Sequence, residues 1–153
     1  MTKAYRHKPL APDEYLGWVN ENGSVFDAQS GTDLLIGHVD LNDGKIYKTR
    51  LRPDKYYGRV DLENGKVFLA RLNADEYIGK VHKNGRCYQE SGSGRGHYLG
   101  KVKEMASFGH GGAAFILLIF PRAEMSREAE KKDIPEQVPG RNIAAAPNNM
   151  EGG

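Results

Sequence analysis

The chain has 153 residues, with 22 basic and 20 acidic side chains and a formal charge of +2. That length suits one domain with its own buried core, and the near-balanced charge excludes a strongly basic nucleic-acid binder or an acidic tail protein. The one cysteine, Cys87, makes no internal disulfide and is compatible with a reducing compartment.

The first residues, Met1 to Lys8, lead into no apolar h-region, so no secretory signal is expected. No apolar run reaches the roughly 18–20 residues a membrane-spanning helix needs. From Tyr15 onward one phrase returns five times: Tyr15-Leu16-Gly17-Trp18-Val19, Leu35-Ile36-Gly37-His38-Val39, Tyr56-Tyr57-Gly58-Arg59-Val60, Tyr77-Ile78-Gly79-Lys80-Val81 and Tyr98-Leu99-Gly100-Lys101-Val102. Its glycines fall 20, 21, 21 and 21 residues apart, the mark of a repeat architecture. A second phrase follows each of the first four copies, as in Asn22-Gly23-Ser24-Val25-Phe26 and Asn64-Gly65-Lys66-Val67-Phe68.

Each unit reads as two strands joined by a tight turn, because Asn-Gly and Asp-Gly supply the positive φ angles of two-residue hairpin loops. The opposite connections, Arg52-Pro53-Asp54-Lys55 and Asn73-Ala74-Asp75-Glu76, read as four-residue turns. The strands therefore form an antiparallel meander. Phe26, Tyr47, Phe68 and Tyr88 precede the next repeat glycine by 11, 11, 11 and 12 residues, and Tyr5 precedes Gly17 by 12. Ala4-Tyr5 is thus an orphaned second strand, and the strand at Lys101-Val102 lacks a partner. Pairing the two closes a ring of ten strands and removes two exposed edges. Strict alternation places Tyr15, Gly17 and Val19, with their counterparts, inside, and Leu16, Ile36, Tyr57, Ile78 and Leu99 outside with Trp18, His38, Arg59, Lys80 and Lys101. Recurrent strand glycines mark a bend, a bulge or a close approach, and five at one level leave room on the axis.

Residues 113–120, Ala-Ala-Phe-Ile-Leu-Leu-Ile-Phe, are apolar on every side, preceded by glycines and stopped by Pro121. Periodicity does not separate a buried strand from a short helix here, but the segment must be buried in a core, a partner or lipid. A central plug, helical in form, is the favoured expectation; a lipid or partner contact and a replacement wall strand are the alternatives. Arg122 to Lys132 is charged enough for a transient helix, and 134–153 reads as disordered. The organisation expected is a barrel over 1–107, an apolar segment packed in or on it over 108–121, and a charged, then disordered, tail over 122–153. The fold class expected is all-β, a closed or nearly closed antiparallel barrel of about five hairpin repeats.

The Tyr-x-Gly-x-Val phrase, followed by Asn-Gly, a β-branched residue and an aromatic, resembles the bacterial β-flower proteins over residues 3 to about 105. The resemblance implies a shallow pseudo-symmetric barrel of hairpin petals, and it assigns no activity. An apolar segment after such a barrel is similar, in architecture only, to the tubby C-terminal fold, where a hydrophobic helix threads a phosphoinositide-binding barrel. Choline-binding repeats share hairpin length and the phrase Gly17-Trp18-Val19-Asn20-Glu21-Asn22-Gly23, but their aromatic cages need more tryptophan than Trp18. Membrane occupation and recognition nexus repeats have a longer period and further glycines.

Trp18, His38, Arg59, Lys80 and Lys101 form a ring of candidate ligand or lipid contacts, to which the turns add Lys45, Lys66 and Arg86. A basic ring with an aromatic member suits phosphate or an anionic headgroup; solvated outer strand positions are the plainer explanation. Asp13, Asp33, Asp54 and Asp75 each lie four residues before a repeat glycine, where turn chemistry explains them better than cation binding. His7, His38, His82, His97 and His110 lack metal spacing. Cys87 stands where other copies have Val25, Ile46 and Val67, and reads as a buried apolar residue. Gly92 to Gly96 reads as a flexible connection rather than a phosphate loop. No asymmetric catalytic constellation is visible, so neither an enzyme nor a cofactor is expected. Two functions remain: a cytoplasmic, non-catalytic binding or scaffold module meeting an unidentified protein partner, or a peripheral module contacting anionic lipid through Phe108, 113–120, Lys101 and Lys103.

Overall fold

The computed structural model describes residues 1–29, 31–49, 53–90 and 96–133. The expected disordered stretch 134–153, most of the Gly92 to Gly96 connection and Arg52 of the second turn lie outside them. Ten strands precede the helical segment: β1 (Thr2–Arg6), β2 (Glu14–Val19), β3 (Ser24–Asp27), β4 (Leu34–Val39), β5 (Lys45–Lys48), β6 (Lys55–Val60), β7 (Lys66–Leu69), β8 (Glu76–Val81), β9 (Arg86–Gln89) and β10 (His97–Lys103). They form a closed antiparallel barrel in which each strand pairs with its sequence neighbours and β1 pairs with β10. The closing seam sets Ala4 opposite Val102 and Tyr5 opposite Lys101. Every strand's backbone N–H and C=O groups thereby have neighbours on both sides, and no edge is left to template aggregation.

The hairpin loops differ from the two-residue form. Gly23, Gly44, Gly65 and Gly85 take φ of 81–93°, while the preceding Asn or Asp does not. Asp40 and Asp61 accept from Gly44 N–H and Gly65 N–H, whereas the shorter loops bond Gly23 to Asn20 and Gly85 to His82. With these longer loops one left-handed residue suffices, where a two-residue type I′ turn demands two.

Strict alternation also fails, at one recurring place. The register slips between Ala4 and Tyr5, Val25 and Phe26, Ile46 and Tyr47, Val67 and Phe68, and Tyr98 and Gly100. Each slip is a β-bulge, in which two residues of one strand oppose one of its partner. The extra residue is the one before the repeat glycine. Leu16, Ile78 and Leu99 are consequently buried, Tyr57 and Ile36 half-buried, and Tyr15 and Leu35 turn outward and are exposed. The expected facing of these two positions is reversed. Val19, Val39, Val60, Val81 and Val102 face inward and are buried, as alternation predicts.

Close approach of the neighbouring strand explains the glycines. A Cβ on Gly17, Gly37, Gly58, Gly79 or Gly100 would fall on the carbonyl oxygen of Phe26, Tyr47, Phe68, Tyr88 or Tyr5 of the adjoining strand. At Gly37 and Gly79 it would also press on the axial helix, 2.8 Å from Leu117 Cδ1 and 2.9 Å from Phe115 Cζ. The room these glycines leave is occupied.

What occupies it is a helix. α1 (Phe108–Ala114) begins at Ser107, whose Oγ accepts from His110 N–H as an N-cap. It runs through a π-helical turn, Phe115–Ile119, into α2 (Phe120–Asp133). Residues 109–120 are buried, and Phe115, Ile116 and Ile119 are wholly inaccessible. α1 packs against β1, β2, β4, β6 and β8, so the segment is neither a wall strand nor a surface patch. The helix does not stop at Pro121, as the sequence suggests. The preceding turn closes i to i+5, Phe120 N–H donating to Phe115 C=O, and that wider turn accommodates a proline ring that a regular α-turn would exclude. Met1–Arg122 form one compact unit; Ala123 begins a second, in which α2 continues to Asp133.

Candidate functional site

Among the described residues two polar side chains, Thr2 and His110, are buried, and both are satisfied. Thr2 Oγ1 donates to the Glu104 carbonyl (3.1 Å) and accepts from Ala106 N–H (3.3 Å). His110 Nε2 lies 3.0 Å from the Glu21 carbonyl, which can only accept. Nε2 therefore carries a proton, and Nδ1 shares a hydrogen bond of 2.7 Å with Ser107 Oγ. His110 is a bridge between the helix start and the first hairpin loop. Cys87 is fully buried, and burial pushes its thiol well above the ordinary range. Native protein is expected to leave Cys87 unmodified by iodoacetamide while urea-unfolded protein reacts fully, and Cys87→Val should keep the fold; fast labelling of the native chain would refute this.

The outer face is where the sequence-predicted residues lie. Trp18, His38, Arg59, Lys80 and Lys101 stand directly opposite Phe26, Tyr47, Phe68, Tyr88 and Tyr5. Trp18 stacks on Phe26 at 4.3 Å, His38 on Tyr47 at 5.0 Å, and the Arg59 guanidinium sits 3.9 Å over Phe68. On the far side of these aromatics stand the residues that the bulge turned outward, giving Tyr47–Tyr56, Phe68–Tyr77, Tyr88–Tyr98 and Tyr5–Tyr15 ring pairs at 5.4–6.0 Å. The outer wall thus carries an aromatic band that the alternating reading concealed. The signal lay in the aliphatic character of Leu16, Ile78 and Leu99, greasier than the adjacent tyrosines.

The five ring residues do not converge. They occupy β2, β4, β6, β8 and β10 of a closed barrel, two strands or about 10 Å apart at each step. No small ligand touches them all, and no flat membrane meets a girdle around a barrel's circumference. The apolar segment, Lys101 and Lys103 are likewise not one patch, since 113–120 is interior.

Each aspartate also reaches a residue of this band. Asp13 Oδ2 is 3.5 Å from Lys101 Nζ, Asp33 accepts from Trp18 Nε1 at 2.8 Å, Asp54 lies 3.4 Å from His38 Nδ1, and Asp75 is 3.0 Å from Arg59 Nε. Each is drawn to a different ring side chain, and among the described residues no three His, Cys, Asp or Glu side chains gather as a metal would require. Asp75 also accepts from Tyr56 O–H at 2.7 Å. Burial first, then this bond and the carboxylate charge, push the Tyr56 phenol up to about 12. The raised value means that the fold favours the neutral phenol. That contribution is full below pH 10 and disappears as pH rises from 10 through about 12. Urea midpoints are therefore expected to fall across this window, and to fall less in Tyr56→Phe; an identical fall in the variant would remove Tyr56 as a cause.

No protein-family profile, curated protein or solved structure matches the chain. No helix among the described residues is long and apolar enough to cross a membrane.

Proposed function

We propose that this protein is a non-catalytic binding or scaffold module of the cytoplasm, a five-petal barrel of the β-flower kind that meets its partner through its outer wall and loop rim. The observation that carries this reading is the filled axis. Phe115 to Phe120 occupy the space a ligand would take in an open barrel, so recognition falls to the outside. There, rigid aromatic rings, cations and carboxylates are held in register by the strands, which suits protein recognition with little ordering cost. The lipid alternative loses its anchor, because 113–120 is enclosed.

The test is affinity capture from the source cell with wild-type bait and with baits in which Trp18, His38, Arg59, Lys80 or Lys101 is changed to alanine, each first shown to melt like wild type. One defined partner is expected, lost from at least one ring variant. Native mass spectrometry showing a stoichiometric small molecule or metal in the chain, with no ring-dependent partner, would overturn the proposal.

A further inference from the structure

Among the described residues, Lys80 alone of the five ring residues has no carboxylate within ion-pair or hydrogen-bond distance. The others are matched by Asp13, Asp33, Asp54 and Asp75, each four residues before a repeat glycine. The fifth such position, four before Gly100, is Gly96. Glu90 binds the Tyr77 hydroxyl instead, as Asp75 binds that of Tyr56.

The neighbourhood of Lys80 departs from its copies in the same direction. The second and third hairpin loops open with Asp40-Leu41 and Asp61-Leu62, whereas the fourth opens with His82-Lys83. Between the third and fourth loops lies a cleft of about 460 Å³ with Lys80, His82 and Lys83 in its lining and Phe108 beside them. Asn64 and Asn84 complete the donors. Each turns its carbonyl oxygen to a loop N–H, of Lys66 and Arg86 respectively, which leaves its NH2 group to donate. Glu63 is the one carboxylate among the described residues of the lining. The equivalent cleft one hairpin earlier, about 420 Å³, is opposite in character: Asp43, Asp61 and Glu63 face a single cation, Arg59, which Asp75 already holds.

We infer that the Lys80 cleft is a phosphate-binding site. The inference rests on the binding-module reading and names the ligand class: a phosphate monoester whose attached group lies against Phe108. Two ammonium groups, an imidazole and two amide NH2 groups match a dianion with three acceptor oxygens. A free metabolite and a lipid headgroup present the same chemistry, and the experiment separates them.

Amide chemical shifts of the full chain are followed as inorganic phosphate, then phenyl phosphate, is added, and co-sedimentation is measured with phosphatidylcholine vesicles with and without phosphatidic acid. Shifts confined to residues 63–64, 80–84 and 108 are expected. Lys80→Gln and Lys83→Gln should each weaken binding roughly ten-fold. Gly96→Asp, which supplies the missing carboxylate at a position with only ordinary contacts around its Cβ, should abolish it. Phe108→Ala should weaken phenyl phosphate more than inorganic phosphate. Binding in free solution without vesicle preference assigns a soluble ligand; sedimentation that needs both phosphatidic acid and Lys80 assigns a headgroup. Shifts scattered over all basic residues, full binding by a folded Gly96→Asp variant, or no response to any probe would overturn the site. The capture experiment reads the outer wall independently, so a silent cleft with a ring-dependent partner refutes this inference and leaves the module reading standing.

Discussion

A chain ending at residue 107 is expected not to fold, whereas one ending at Arg122 should melt as a cooperative unit. The shorter chain keeps every strand and loses only the axis. Six consecutive side chains, Phe115 to Phe120, lie 0–8% exposed inside the barrel. At about 1.5–3 kcal/mol for each large apolar side chain buried, their removal costs on the order of 10 kcal/mol. That is comparable to the whole net stability of a typical domain, roughly 5–15 kcal/mol. The loss is compounded because Val60, Val81 and Leu16 would then face an empty or water-filled bore. Circular dichroism and calorimetry on the two truncations decide the matter. A well-folded 1–107 chain would show that the barrel stands without its core and would return 113–120 to the role of a detachable contact.

The second large effect is expected at Gly79. Its missing Cβ leaves space for the Tyr88 carbonyl on one side and Phe115 on the other. Gly79→Ala has no cheap relief: the carbonyl is backbone in the paired strand β9, and Phe115 is wholly buried. Overpacking of this kind costs typically about 1–3 kcal/mol, which for a domain near 100 residues lowers Tm by roughly 4–8 °C per kcal/mol. Gly96→Ala is the matched control, since its Cβ meets atoms no nearer than 3.5 Å, and its melting temperature should stay within a degree or two of wild type. Equal melting of both variants would mean that the recurrent glycine is dispensable to the wall.

The hairpins and the ring closure were legible because they rest on local chemistry and on counting. Asn-Gly pairs mark loops wherever they stand, and Tyr5, set 12 residues before Gly17, exposed an unpaired half-hairpin at each end. The burial of 113–120 was equally plain, since no polar side chain interrupts it. The bulge was not legible from alternation, which has no term for an extra residue; the identity of Leu16 against Tyr15 was the better guide. Pro121 misled because its effect depends on the turn before it, and the five-residue closure from Phe115 to Phe120 is a tertiary outcome.

The candidate site was read in part. The ring residues were found by position, but their isolation from one another follows from barrel circumference, which no single repeat encodes. Asp75 reaching Arg59, on a strand two places back, depends on stagger between neighbours. The cleft at Lys80 emerges only when Gly96 is set against the aspartates of the other copies, a comparison that has meaning once those aspartates are seen to hold the wall's ring side chains.

The seam between β1 and β10 has a consequence for synthesis. Thr2 finds its acceptor at Glu104, 102 residues further along the chain, and Lys3 sits opposite Lys103. A ribosome delivers the first strand long before the last, so the ring cannot close until residues 97–120 emerge. Such high contact order slows the final step. Until then the closing partner of β1 is missing, and chaperone capture competes with ring closure.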